Sequence, residues 1–339
     1  MESYQFLLNL AIILLSTKVL GLVTRKFHMP QVVGALLAGV ILGPAVLDML
    51  HETEFLDKLA EIGVIVLMFC AGLETDTREL KKSGKSAFII ALIGVIVPLA
   101  GGYAVAAYFN RPSVIASDAS GTAFLQNMFI GVILTATSVS ITVETLKELG
   151  KLKTHSGNAI LGAAIIDDVL GIIALTIITS MADSNVNLVT VLLKIAAFFL
   201  LSGVGGVIVY RLFARWSNNA EHGLQRHTIA AFALCLLLSF AAEKFFGVAD
   251  ITGAYIAGVI ISNTQKSQYL TSKFDTLSYL LLSPVFFASI GLKVELPAMT
   301  TQIILFAVFL TLVAIFTKVI GCGLGAKLCG YKNYQSIRI

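Results

Sequence analysis

Gly34-Ala-Leu-Leu-Ala-Gly-Val-Ile41 and Gly253-Ala-Tyr-Ile-Ala-Gly-Val-Ile260 are identical at six of eight positions and lie 219 residues apart. The same offset carries Gly72-Leu73 onto Gly291-Leu292 without a gap. Low-complexity apolar sequence matches itself by chance, but two ungapped matches at one offset mark an internal repeat. Hydropathy divides the chain into about eleven apolar stretches, near 5–24, 30–46, 58–73, 86–108, 123–147, 155–180, 187–212, 226–246, 250–263, 274–292 and 299–328. Crossing a bilayer as a helix takes about 20 apolar residues, and this length recurs along the chain. The matched segments are seven stretches apart. An odd separation makes them cross in opposite senses, the inverted-topology repeat of many secondary transporters.

Composition agrees with an all-α membrane protein. Of 339 residues, 57% are hydrophobic and 13% charged, and mean hydropathy is +0.89. Soluble domains carry roughly a quarter charged residues. The first apolar run has no basic residues before it and no small-residue cleavage site after it, so it reads as a retained helix rather than a signal peptide. Basic residues fall in alternate loops, 17 on one set (Arg25 and Lys26 first) against Lys58, Arg111, Lys244 and Lys293 on the other. The positive-inside rule then predicts an outside N-terminus and a cytoplasmic Ile339, in a multi-pass protein of the cell inner (plasma) membrane. The net charge of +4 is thus a topology signal, not a nucleic-acid footprint. The four cysteines lack metal-ligand spacing and read as small buried hydrophobes. No nucleophile–base arrangement or metal motif points to an enzyme, and no cofactor is expected. The offset also places counterparts of the fifth and sixth stretches near 342–366 and 374–399. The repeat therefore predicts about thirteen membrane helices, of which this chain holds about eleven.

Asp167 and Asp168 sit near the middle of the sixth stretch, His155-Ser-Gly-Asn-Ala-Ile-Leu-Gly-Ala-Ala-Ile-Ile-Asp-Asp-Val-Leu-Gly-Ile-Ile-Ala-Leu. An acid at that depth costs about 3 kcal/mol or more and commonly marks an ion or proton pathway. Neighbours on a helix point about 100° apart, so the two carboxylates have different surroundings and different jobs. Lys318 lies in the middle of the last long apolar run, too deep to reach the surface, and a salt bridge to Asp167 or Asp168 offsets its burial. Lys18 and Lys194 lie nearer stretch ends and are expected to snorkel. Glu243 reads as interfacial. The fifth stretch holds a hydroxyl cluster, Thr135-Ala-Thr-Ser-Val-Ser-Ile-Thr142, with no Pro or Gly. Its oxygens suit a hard cation such as Na⁺ if the helix unwinds there. They equally suit close helix packing by small residues.

Thr135-Ala-Thr-Ser followed by Leu146-Lys-Glu-Leu-Gly150 and Ile166-Asp-Asp-Val-Leu-Gly171 resembles the monovalent cation:proton antiporter-2 family. Phe69-Cys-Ala-Gly-Leu-Glu-Thr-Asp76, Pro284-Val-Phe-Phe-Ala-Ser-Ile-Gly291 and Lys318-Val-Ile-Gly-Cys-Gly-Leu-Gly-Ala-Lys327 fit it too, so the resemblance spans essentially the whole chain. It implies a two-domain elevator that works as a homodimer. The dimerisation domain would comprise 1–80 and 226–293, the ion-translocating core 86–182 and 298–339, and the linker helix 187–212. The core would stop short of its second crossing helix at Ile339, with room for a cytoplasmic regulatory domain beyond it. By resemblance, Asp168 binds cation and proton in turn, Asp167 is bridged to Lys318, and Thr137 and Ser138 lie on the unwound part of the first crossing helix. The Asp-Asp pair resembles the sodium/proton (sodium-potassium/proton) exchangers, usually electrogenic. Glutathione-gated potassium effluxers carry Gln-Asp there. The function implied is Na⁺/H⁺ antiport, with K⁺ or Li⁺ as further cargo. K⁺/H⁺ antiport on the same scaffold is the nearest alternative. A passive channel is a third, without a filter-like loop to support it.

Overall fold

The computed structural model describes residues 4–111, 122–182, 187–218, 224–296 and 300–339, and each of the predicted stretches is helical in it. In chain order the helices are α1 (Gln5–Lys26), α2 (Gln31–Leu42), α3 (Glu54–Glu74), α4 (Thr77–Phe109), α5 (Ala123–Thr135), α6 (Val139–Glu148), α7 (His155–Ala182) and α8 (Leu188–Asn218). They continue as α9 (Leu224–Ala241), α10 (Asp250–Ser262), α11 (Ser267–Leu277), α12 (Ser283–Leu292), α13 (Thr301–Leu328) and α14 (Asn333–Arg338). A π-helical turn ends α9 (Ala242–Phe246), and another joins α11 to α12 (Ser278–Leu282). Hydroxyl and carboxylate caps start several of them: Thr53 Oγ1 accepts from the Leu56 amide, and Asp76 accepts from those of Arg78 and Glu79.

Among the described residues, eight helical segments are long and apolar enough to cross a membrane, and α2 and α10 are shorter apolar helices. Their outer faces need lipid. Leu15 is 69% exposed, Leu200 68% and Phe316 62%, within continuous apolar surface on α1, α8 and α13. The buried core centres on α3, α10 and α12, where Phe69 is fully enclosed and its ring meets Phe274 edge-on at 5.1 Å.

The repeat seen in sequence is physical. A Cβ on Gly39 of α2 would lie 2.0 Å from the Ala288 carbonyl oxygen and 2.9 Å from Gly291 Cα on α12. A Cβ on Gly258 of α10 would lie 2.3 Å from the Phe69 oxygen and 2.8 Å from Gly72 Cα on α3. Shifting Gly39 by 219 gives Gly258, and shifting Gly72 gives Gly291. One crossing is therefore the inverted copy of the other. The pattern extends outward: Gly34 abuts the Leu20 oxygen of α1, as Gly253 abuts the Leu238 oxygen of α9. Only glycine lets these backbones touch, which is why these positions survive in both copies.

The helices pack as two groups. α1, α2, α3, α9, α10 and α12 form one, while α4, α5, α7 and α13 form the other. α6 touches α2, α3 and α7, and α8 touches α7 and α10. Lys18, expected to snorkel, is exposed. α1 packs on α12 and the turn before it, so the Lys18 ammonium donates to the Tyr279 hydroxyl and sits 4.8 Å from that ring's centre. Lys194 and Glu243 are both exposed.

Candidate cation site

Helix α5 stops at Thr135 and α6 begins at Val139, so Ala136, Thr137 and Ser138 form an extended break inside one membrane-crossing segment. Local hydroxyl chemistry replaces the missing helical bonds. Thr135 Oγ1 donates back to the Val132 carbonyl at 2.7 Å. Ser138 is the N-cap of α6, its Oγ accepting from the Ile141 amide at 3.3 Å, and Thr142 Oγ1 donates to the Ser138 carbonyl at 2.9 Å. Ser and Thr compete with the helix for backbone partners, so four hydroxyls in six residues break it without Pro or Gly. The two sequence readings of the cluster thus separate in favour of unwinding. The break leaves the negative end of α5 facing the positive end of α6 within the apolar layer.

Lys318 of α13 closes the α5 end. Its Nζ donates to the Thr135 carbonyl at 2.7 Å, to the Gly94 carbonyl of α4 at 3.1 Å, and to Asp167 Oδ1 and Oδ2 at 3.1 and 3.0 Å. Asp167 is 6% exposed. An ammonium has three donors, and these partners saturate it. The predicted lysine bridge is present, and it selects Asp167 rather than Asp168. Thr137 Oγ1 is sealed from solvent beside the Asp167 carboxylate, without a hydrogen bond of ordinary geometry. Ser138 is exposed.

Asp168 is different. It is partly buried, and no hydrogen bond or ion pair to a described residue engages its carboxylate. The 100° turn per residue sends Asp167 to α13 and leaves its neighbour free. The pair therefore presents one neutralised acid and one open acid.

Sequence reasoning missed Pro98. It lies inside α4 and has no N–H, so the carbonyl four residues earlier, that of Gly94, lacks its helical donor. That carbonyl is one of the acceptors of Lys318. Gly94 also has no side chain where a Cβ would come within 2.8 Å of Cys322 Sγ on α13. The signal was legible: a proline in mid-stretch always frees a carbonyl at i−4.

Residues 11–339 match the family profile described as "Sodium/hydrogen exchanger, transmembrane". The chain is 39% identical over 338 residues to the Bacillus cereus protein named "Probable Na(+)/H(+) antiporter GerT", an alignment covering 98% of this chain and 86% of that one. It is 38% identical over 338 residues to the "Na(+)/H(+)-K(+) antiporter GerN" of the same organism, covering 98% and 83%. The solved structure of the sodium proton antiporter MjNhaP1 from Methanocaldococcus jannaschii superimposes with a TM-score of 0.69. It covers 99% of this chain and 82% of that one, at 18% identity. At that identity the likeness is one of fold.

Proposed function

This chain belongs to the transmembrane sodium/hydrogen exchanger family, and from that premise we propose that it exchanges Na⁺ for H⁺ with Asp168 as the shared binding carboxylate. The observation that carries the assignment is the division of the pair: Lys318 neutralises Asp167, and no described residue forms a hydrogen bond or ion pair with Asp168. A carboxylate can hold a proton or a cation, not both. Binding of one therefore requires release of the other, which is the coupling rule of an antiporter. Thr137 and Ser138 supply oxygens at the helix break, and hard monovalent cations take oxygen ligands. One site of this kind exchanges one charge for one charge. Electrogenic transport needs a second proton. The Asp167–Lys318 bridge supplies it: Lys318 gives up its proton when the entering cation displaces it from Asp167, and takes one back when the cation leaves.

Alternating access in this reading is an elevator motion of the α4, α5–α6, α7 and α13 group against the α1–α3 and α9–α12 group, within a homodimer. What supports it is the pair of packing groups with the site on one of them. The charge asymmetry of the loops supports an inner-membrane protein with the N-terminus outside. K⁺ as a further cargo is the second reading, favoured by likeness to a relative named for Na⁺/H⁺-K⁺ exchange.

The test is flux in proteoliposomes. Adding Na⁺ should dissipate an imposed proton gradient, with Li⁺ and K⁺ compared under the same conditions. Asp168→Asn should abolish the response. Retained Na⁺-driven proton movement in that variant would remove Asp168 from the mechanism.

A further inference from the structure

A cavity of about 740 Å³ lies between α1, α2, α6 and the α11–α12 segment. Five charged side chains line it: Lys18, Glu144, Lys147, Glu148 and Asp275. Four have partners. Lys18 bonds the Tyr279 hydroxyl, Lys147 bonds Asp275, and Glu148 Oε2 accepts from the Gln31 amide at 2.7 Å, capping the start of α2. Lys147 also lies 3.7 Å from Glu74 of α3, which Lys153 approaches at 3.3 Å. Glu144 alone of the five makes no hydrogen bond or ion pair to a described residue, although it is partly buried.

An acid kept for the fold is normally paired, as its neighbours are, because an unpaired one in a partly buried wall is costly. Glu144 holds no helix end and bridges no two elements. Its position on α6 gives it another use. It lies six residues along the helix from Ser138, about 9 Å at the helical rise. Ser140, one turn nearer the break, shares its face. The charged groups facing Glu144 are Lys147 and Glu148 of α6 and Asp275 of α11, with Lys18 of α1 across the cavity.

We propose that Glu144 is a relay carboxylate on the route to the exchange site, drawing the cation into the cavity and passing it along the Ser140 face of α6 to Thr137 and Ser138. The cavity belongs to the side of the lysine- and arginine-rich loops, so the relay serves one membrane face. This inference rests on the reading of Asp168 as the exchange site.

Sided flux in uniformly oriented proteoliposomes tests it. Glu144→Gln should raise the KM for Na⁺ about fivefold from the basic-loop face and less than about twofold from the other, with Glu144→Asp restoring most of the difference. An unchanged KM, or an equal rise at both faces, overturns the relay. Should the neutral variant not fold, wild-type protein gives the answer. A hydrophobic carbodiimide should label Glu144, read by peptide mass spectrometry, and Na⁺ but not choline should slow the labelling. Labelling indifferent to Na⁺ overturns the proposal equally. Asp168→Asn run alongside separates the two claims: if it keeps exchanging, the site assignment fails, whatever Glu144 does.

Discussion

At the scale of single residues, the Asp167–Lys318 bridge and the open Asp168 make different predictions. Removing one partner of a buried ion pair costs about 3–5 kcal/mol, because the other charge is left without compensation. Lys318→Met should therefore lower thermal stability in detergent strongly. The double variant Asp167→Asn with Lys318→Met should recover part of the loss, a coupling that a thermal-shift double-mutant cycle measures directly. Asp168 predicts a pH effect whose sign follows from competition. In the proposed exchange protons and Na⁺ compete for the Asp168 oxygens, so lowering the pH fills the site with protons and raises the apparent KM for Na⁺. Once the protonated form dominates, KM should rise about tenfold per pH unit for a single competing proton. A KM flat across pH would separate the two ions' sites. The existence of this acidic pair, its depth and the need for Lys318 were all legible from sequence, since buried charge is costly wherever the chain goes. Which aspartate takes the lysine was left open by the residues alone, because that depends on where α13 lies around α7.

At the scale of elements, the break between α5 and α6 and the proline of α4 serve one lysine. Ser138→Ala should lose the α6 cap, worth about 1 kcal/mol, and weaken the apparent affinity for Na⁺, whereas Ser138→Asn keeps a capping oxygen. Circular dichroism should scarcely change, while KM should rise. Pro98→Ala tests the other side. It restores an N–H that competes with Lys318 for the Gly94 carbonyl. A hydrogen bond to a charged group contributes about 1.5–3 kcal/mol, so losing part of one should slow exchange about three- to tenfold while leaving the protein as stable or more so. A slower and less stable variant would instead make Pro98 a packing residue. The hydroxyl run was visible in the sequence, but two physical uses fitted it equally. Deciding between them took knowledge of what faces Thr135, and the answer is the Lys318 ammonium.

At the scale of the molecule, the inverted repeat predicts that symmetric lesions behave alike. Gly39→Ala and Gly258→Ala each place a Cβ against the backbone of an opposing helix, at 2.0 and 2.3 Å. Neither helix can yield without moving its neighbours, so both variants should lose thermal stability by similar amounts, and Gly84→Ala, where a Cβ meets nothing, should not. A large loss at one glycine and none at its counterpart would show that the two crossings carry unequal load.

Residue pattern alone puts this chain in a bilayer, makes two segments 219 residues apart cross it in opposite senses, and brings Asp167, Asp168 and Lys318 into the apolar layer. Hydropathy, glycine spacing and the cost of buried charge are properties of the residues, and they act before any helix finds its neighbour. Tertiary structure decided the rest. Packing of α13 on α4 brought Lys318 to the carbonyl that Pro98 frees, gave it Asp167, and so left Asp168 open. Which of two adjacent acids is free depends on the angular placement of another helix more than a hundred residues away, and no local pattern encodes that angle.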